Sequence, residues 1–135
     1  MAENIFLEVV TPGAVVVSEE AQIVMAPGSE GEFGVLHGHT TFLTSLKVGC
    51  LRYKDAAGKD RALFVNGGFA EVLPTKMTVL SESADRRRDI DVERVKAAKA
   101  RAEERLAKGT PDIDMIRAEA ALRRAIQRLS LIQVH

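Results

Sequence analysis

On a helix turning 100° per residue, Asp91, Arg94, Ala98 and Arg101 fall within an arc of about 80°. One carboxylate and two guanidinium groups beside a small side chain can cradle a phosphorylated ligand. The same spacing also describes a solvated helix face stabilised by charge pairs three and four residues apart. Further along, Arg117, Arg124 and Arg128 lie within about 40° of one another. Three stacked cations repel unless an anion sits among or opposite them, or their aliphatic stems cover an apolar seam and their heads stay in water.

Other constellations carry less chemistry. Gly28-Ser-Glu-Gly-Glu-Phe-Gly34 spaces three glycines by three, but no Gly-Lys-Ser/Thr follows and two glutamates would repel phosphate. It reads as a turn with solvated acids. His37 and His39 stand at i and i+2 without nearby cysteine or acid ligands, a poor metal site. A tight turn with one imidazole bonded to backbone suits them better. Cys50 is the single cysteine, so no intramolecular disulfide forms, and its flanks Val48-Gly-Cys-Leu51 read as a strand with a buried thiol.

Composition bounds the classes. Apolar residues make up 46% of the 135, enough for a core, while the absence of Trp argues against a stacking platform for single-stranded nucleic acid. The 19 basic and 19 acidic residues cancel in sum but not in place. Residues 1–84 carry six Lys/Arg against ten Asp/Glu, and residues 85–135 carry thirteen against nine, so −4 faces +4. The second half is built to meet something acidic. The start Met-Ala-Glu-Asn-Ile5 is not that of a signal peptide, and no apolar run approaches eighteen residues, so direct membrane insertion is not expected.

The elements that must position these residues change character near Ala84. Before it, apolar residues recur at a spacing near two with turn residues between, predicting roughly eight to ten short strands packed as two sheets. Cys50–Lys54 and Asp60–Asn66 predict a hairpin, as do Phe69–Leu73 and Met77–Ser81. After Ala84, helical spacing takes over. Asp89 or Asp91 can cap a first helix running to Lys108, with Val95, Ala98, Ala102 and Leu106 on one stripe. Gly109 serves as its C-cap, Thr110 as the next N-cap, and Pro111 opens the following helix. There a seam of Met115, Ala118, Leu122, Ala125, Leu129 and Ile132 predicts an antiparallel partner. The expectation is a β half, 1–84, and a helical hairpin, 85–135. Alanine-rich seams bury little area, so the hairpin is marginal by itself.

Over essentially its whole length the chain resembles the epsilon subunit of the bacterial F-type ATP synthase. The resemblance rests on Gly28 to His39, Leu43-Thr-Ser-Leu46, Lys47-Val-Gly49, Asn66 to Val72, Met77 to Ser81, and Ala121-Leu-Arg-Arg-Ala-Ile-Gln-Arg-Leu129 in that order. It implies a ten-stranded β-sandwich followed by an antiparallel two-helix hairpin, and a non-catalytic role in coupling and regulation. The sandwich would bind the gamma subunit and the c-ring, with Glu30, Glu32 and His39 toward the ring. The hairpin, when extended, would meet the alpha and beta subunits through Arg117, Arg123, Arg124 and Arg128 and inhibit ATP hydrolysis. In members that bind ATP on the folded hairpin, an Ile/Leu-Asp-x-x-Arg-Ala motif and two later arginines hold it. Ile90, Asp91 and Arg94 match that motif, Arg124 and Arg128 match the pair, and Asp85 and Arg101 stand at further contact positions. Val95 replaces the motif's alanine. No cofactor is required; ATP enters as a regulatory ligand. No metal and no nucleic acid are implied, and the place implied is peripheral, on the cytoplasmic face of the inner membrane. A free-standing ATP-sensing module built on the same arginines is the alternative, and co-purification with a large ATPase would separate the two.

Overall fold

The computed structural model describes residues 3–111 and 114–133. Among them the β half forms seven strands rather than ten: β1 Ile5–Thr11, β2 Ala14–Gly28, β3 Gly31–Val35, β4 Phe42–Asp55, β5 Asp60–Val72, β6 Lys76–Leu80 and β7 Ala84–Arg86. The expected number was too high because breaks in the alternation are bends inside long strands. β2 passes through Glu19-Glu20 and slips register against β4 between Ala21 and Ile23 and again between Met25 and Gly28. β4 passes through Lys47-Val-Gly49, and β5 through Asn66-Gly67-Gly68, where the two glycines take φ of 69° and 106°. Such irregularities bend a strand without ending it. The glycine segment 28–34 is likewise more than a turn: Ser29 and Glu30 form the tip, and β3 returns antiparallel along the end of β2.

The strands run in the order β1-β6-β5-β4-β2-β3, and β1 also pairs β2, so the path closes on itself. Closure of β1, β6, β5, β4 and β2 removes those strands' open edges, while β3 hangs on β2 and β7 on β5. β1 runs parallel to β6 and antiparallel to β2. Alternate residues point inward: Ile5, Leu7 and Val9 from β1, Leu51 from β4, Met77 and Val79 from β6, all without solvent contact. Each such side chain contributes about 1.5–3 kcal/mol relative to exposure.

The β4–β5 connection is held by Asp55, a buried carboxylate. It accepts from the backbone N–H of Lys59 (2.9 Å) and Ala57 (3.0 Å) and from Arg61 Nε (3.1 Å). Those hydrogen bonds, the Lys59 N–H foremost and partly opposed by burial, lower its pKa below the ordinary carboxylate value. A depressed folded pKa stabilises the fold above the unfolded pKa, and that contribution is lost as pH falls through the folded pKa. Asp55→Asn therefore melts at a lower temperature than wild type at pH 7, and the gap narrows on acidification. A gap independent of pH between 7 and 3 would refute the assignment.

The helical half is α1 Val92–Lys108 and α2 Met115–Gln133. Asp91 caps α1, its Oδ1 accepting from the Arg94 N–H at 3.2 Å, while Asp89 belongs to the preceding 3-10 turn, Arg87–Asp89. Gly109 closes α1 in the left-handed conformation, φ 56°. The expected start of α2 needs correction. The cap is Asp114, not Thr110: its Oδ1 accepts the Arg117 N–H at 3.0 Å, leaving Pro111 in the connection. Asp114 directly precedes the first helical residue, Met115, so its carboxylate is in reach of the opening turn while Thr110 lies too far upstream.

α1 packs on α2 through Val95 and Ala102 against Ala118 and Ala125, all buried. α2 in turn lies on β4 and β5. At its end Leu131 is buried, while Ile132 of the predicted seam is only partly so, because this last turn faces the sandwich as well as α1. Cys50 lies beneath α2, half-buried, its Sγ 3.5 Å from the Gln127 carbonyl oxygen and 3.6 Å from Ser130 Oγ. Burial pushes the thiol pKa up, as expected of a structural cysteine.

Candidate functional site

A cleft of about 430 Å³ opens between α1, α2 and the strand that leads into them. All seven residues predicted to contact a nucleotide line it. Asp85 comes from β7, Ile90 and Asp91 from the junction, Arg94 and Arg101 from α1, and Arg124 and Arg128 from α2. Sequence spacing separated these residues into two helix faces, and antiparallel packing sets the faces against each other. The space exists because Ala98, Ala121 and Ala125 leave it. Val95 also lines the cleft, yet it is only 8% exposed and serves the helix–helix seam. Asp89 joins the lining too. As a potential cap it attracted no functional reading, and its signal was only proximity to Asp91.

Charge in the cleft is unevenly satisfied. Arg128 Nε donates to Asp85 Oδ2 at 2.8 Å, and its guanidinium lies over the Phe64 ring, 4.2 Å from the centroid. Asp91 is engaged as the helix cap, and Asp89 approaches Arg88 at 4.0 Å. Arg94, Arg101 and Arg124 have no ion-pair partner among the described residues. Three guanidinium groups without an ion-pair partner among the described residues thus line one small-walled cleft beside three aspartates, and guanidinium groups are bidentate donors chemically suited to phosphate oxygens.

In the docked hairpin the four arginines expected to meet an acidic partner do not share one surface. Arg124 and Arg128 turn into the cleft, whereas Arg117 and Arg123 are exposed. The residues expected toward the ring lie near the β2–β3 hairpin. Glu30 is exposed at its tip, and Glu32 on β3 is exposed and pairs with Arg52 at 3.4 Å. His39 follows in the next loop, its ring 5.5 Å from that of Phe42, which meets Phe33 of β3 edge-on at 5.1 Å. His39 Nδ1 bonds the Thr40 carbonyl oxygen at 2.7 Å, and His37 Nε2 sits 3.0 Å from Glu3. These two histidines are thus turn residues. Among the described residues no three His, Cys, Asp or Glu side chains are placed to share a metal.

One feature escaped the sequence reading. Phe69 of β5 lies opposite Leu80 of β6 and Ser45 of β4, two residues from Leu43 on the same face. Leu43, Phe69 and Leu80 are 68%, 56% and 55% exposed, an apolar row on the outer surface of the sandwich. Its signal was present, because each of the three strands carries one large apolar residue at an outward position.

Comparison with known proteins settles the lineage. The family model described as ATP synthase, Delta/Epsilon chain, beta-sandwich domain matches residues 4–87, and that of the long alpha-helix domain matches 88–133. The chain belongs to the ATP synthase delta/epsilon chain family. It is 81% identical to the ATP synthase epsilon chain of Desulforapulum autotrophicum over 98% of each chain. To that of Carboxydothermus hydrogenoformans it is 52% identical over 82% of each. Its fold matches a chain in the Euglena gracilis mitochondrial ATP synthase structure with a TM-score of 0.82, at 24% identity, over 94% of this chain and 80% of that one. In this family the chain is a non-catalytic subunit of the synthase. Among the described residues no helix is long and apolar enough to cross a membrane.

Proposed function

We propose that the chain is a coupling and regulatory subunit of the synthase's central stalk. Its sandwich, residues 1–84, docks to the gamma subunit through the apolar row of Leu43, Phe69 and Leu80, and to the c-ring through Glu30, Glu32 and His39. Its hairpin, residues 85–135, folds back with ATP in the cleft or extends toward the alpha and beta subunits and restrains ATP hydrolysis. The complex holds it peripherally on the cytoplasmic face of the membrane. The observation that carries the regulatory half is the convergence of seven separated residues on one cleft of a docked hairpin. Support for the docking half comes from the exposed apolar row, since such patches mark interaction surfaces. Family membership favours this reading over a free-standing sensor.

The division of the arginines supplies a clean test. Arg117 and Arg123 lie outside the cleft, so changing both to alanine removes contacts to an acidic partner without disturbing the folded hairpin. The assembled enzyme carrying Arg117→Ala/Arg123→Ala is expected to hydrolyse ATP roughly two- to tenfold faster, as two modest ion pairs allow. Added salt should reproduce part of the gain in wild type by screening. Unchanged hydrolysis with normal assembly would mean that these side chains are only solvated.

A further inference from the structure

α2 is fastened to the sandwich by a handful of polar contacts. Arg87 Nε donates to the Leu131 carbonyl at 2.7 Å, the Cys50 thiol meets Gln127 and Ser130, and Arg128 meets Asp85. Of these residues, Arg128 and its partner Asp85 also line the cleft. The Arg128 guanidinium is held in two ways. Asp85 takes the Nε edge, and Phe64 supports the face. Phe64 is wholly buried in β5, so the platform is fixed by the core. The terminal amino groups of Arg128 have no hydrogen-bond partner among the described residues. A phosphate oxygen can take that free edge without displacing Asp85, because a guanidinium offers five N–H donors on separate edges.

We infer that Asp85 and Phe64 are positioning residues that hold Arg128 as a tether between hairpin and sandwich, and that this tether and the anion site are one device. The tether itself does not depend on which ligand the cleft takes; its reinforcement by nucleotide rests on the ATP reading above. With Arg128 already fixed in one orientation, a ligand loses less side-chain freedom on binding, and the bound ligand in turn retains Arg128 at its post.

The single cysteine makes the tether measurable. Cys50 lies under α2, so its alkylation by N-ethylmaleimide reads the opening of the hairpin from the sandwich. Without nucleotide, Asp85→Asn and Arg128→Gln should each raise the alkylation rate about three- to thirtyfold, at temperatures where circular dichroism shows every variant folded. The double variant should be no faster than the quicker single one, because both changes remove the same contact. Phe64→Leu should act in the same direction through loss of the ring face. Rates equal to wild type in Asp85→Asn and Arg128→Gln, or effects that multiply in the double variant, would overturn the tether. Saturating ATP should slow alkylation in wild type and do so far less in Arg128→Gln. Raised rates in the variants with no ATP effect in wild type would uphold the tether and overturn the reinforcement and the ATP reading together.

Discussion

Arg94→Ala and Arg124→Ala each weaken ATP binding by about ten- to a hundredfold, read as displaced isotherms or vanishing heat in a calorimetric titration. The magnitude follows from removing one charge-assisted contact to phosphate, worth about 1.5–3 kcal/mol. Both side chains line the cleft, and neither has an ion-pair partner among the described residues. Their loss therefore removes ligand contacts and leaves no acid newly unpaired. Arg128 is a less direct probe because its removal also releases Asp85. Lys96→Ala, exposed on α1 and outside the cleft, is expected to bind as wild type does. Equal affinity in wild type and both arginine variants, or no heat from wild type at millimolar ATP, would exclude the cleft as a nucleotide site. The regulatory consequence scales with occupancy. ATP at a hundred times its dissociation constant stabilises the docked hairpin by about 2.7 kcal/mol. The helix pair buries mainly alanine, so a bias of that size is large against its own packing.

The second large effect lies far from any ligand. Gly68→Ala is expected to cost roughly 3–6 kcal/mol, combining backbone strain with overpacking, against a typical total stability of about 5–15 kcal/mol. Gly68 has φ 106°, a conformation costly for any residue with a side chain. A Cβ there would sit 2.0 Å from the Leu80 carbonyl oxygen and 2.9 Å from Ser81 Cα, both backbone atoms of the neighbouring strand and its exit. Neither can give way by a rotamer change. Relief would require β5 and β6 to separate where Phe69 pairs with Leu80. Urea unfolding followed by circular dichroism should place the midpoint of Gly68→Ala far below that of wild type. Gly13→Ala, whose Cβ would meet nothing within 4 Å, should fall close to wild type. Matching midpoints for the two variants would show that the bend tolerates a side chain.

Several features were legible because they depend on neighbours along the chain. Asp91 caps α1 by reaching an N–H three residues away, and Gly109 ends it because a left-handed residue follows the last turn. The stripe of Val95 and Ala102 and the seam of Ala118 and Ala125 follow from helical periodicity. The turn at His37–His39 and the hairpins of β4–β5 and β5–β6 also follow from local spacing and turn chemistry. The candidate site was legible residue by residue through a motif and its later arginines, and the expected antiparallel hairpin sets those two faces opposite each other.

What the strand number turned on was not local. Asn66-Gly67-Gly68 has the composition of a turn, and only pairing with β4, Val48 opposite Asn66 and Leu46 opposite Gly68, makes it a bend within β5. The start of α2 lies at Met115, later than expected, where Asp114 reaches the Arg117 N–H. Sequence by itself determined that the first half is extended and the second helical, and which arginines share a helix face, since both properties follow from periods of two and 3.6 residues. Tertiary structure alone decided that Arg128 is held by Asp85 and Phe64, 43 residues away in the first case. Those meetings depend on where α2 comes to rest on β4 and β5, which is fixed by packing between distant residues rather than by any local preference.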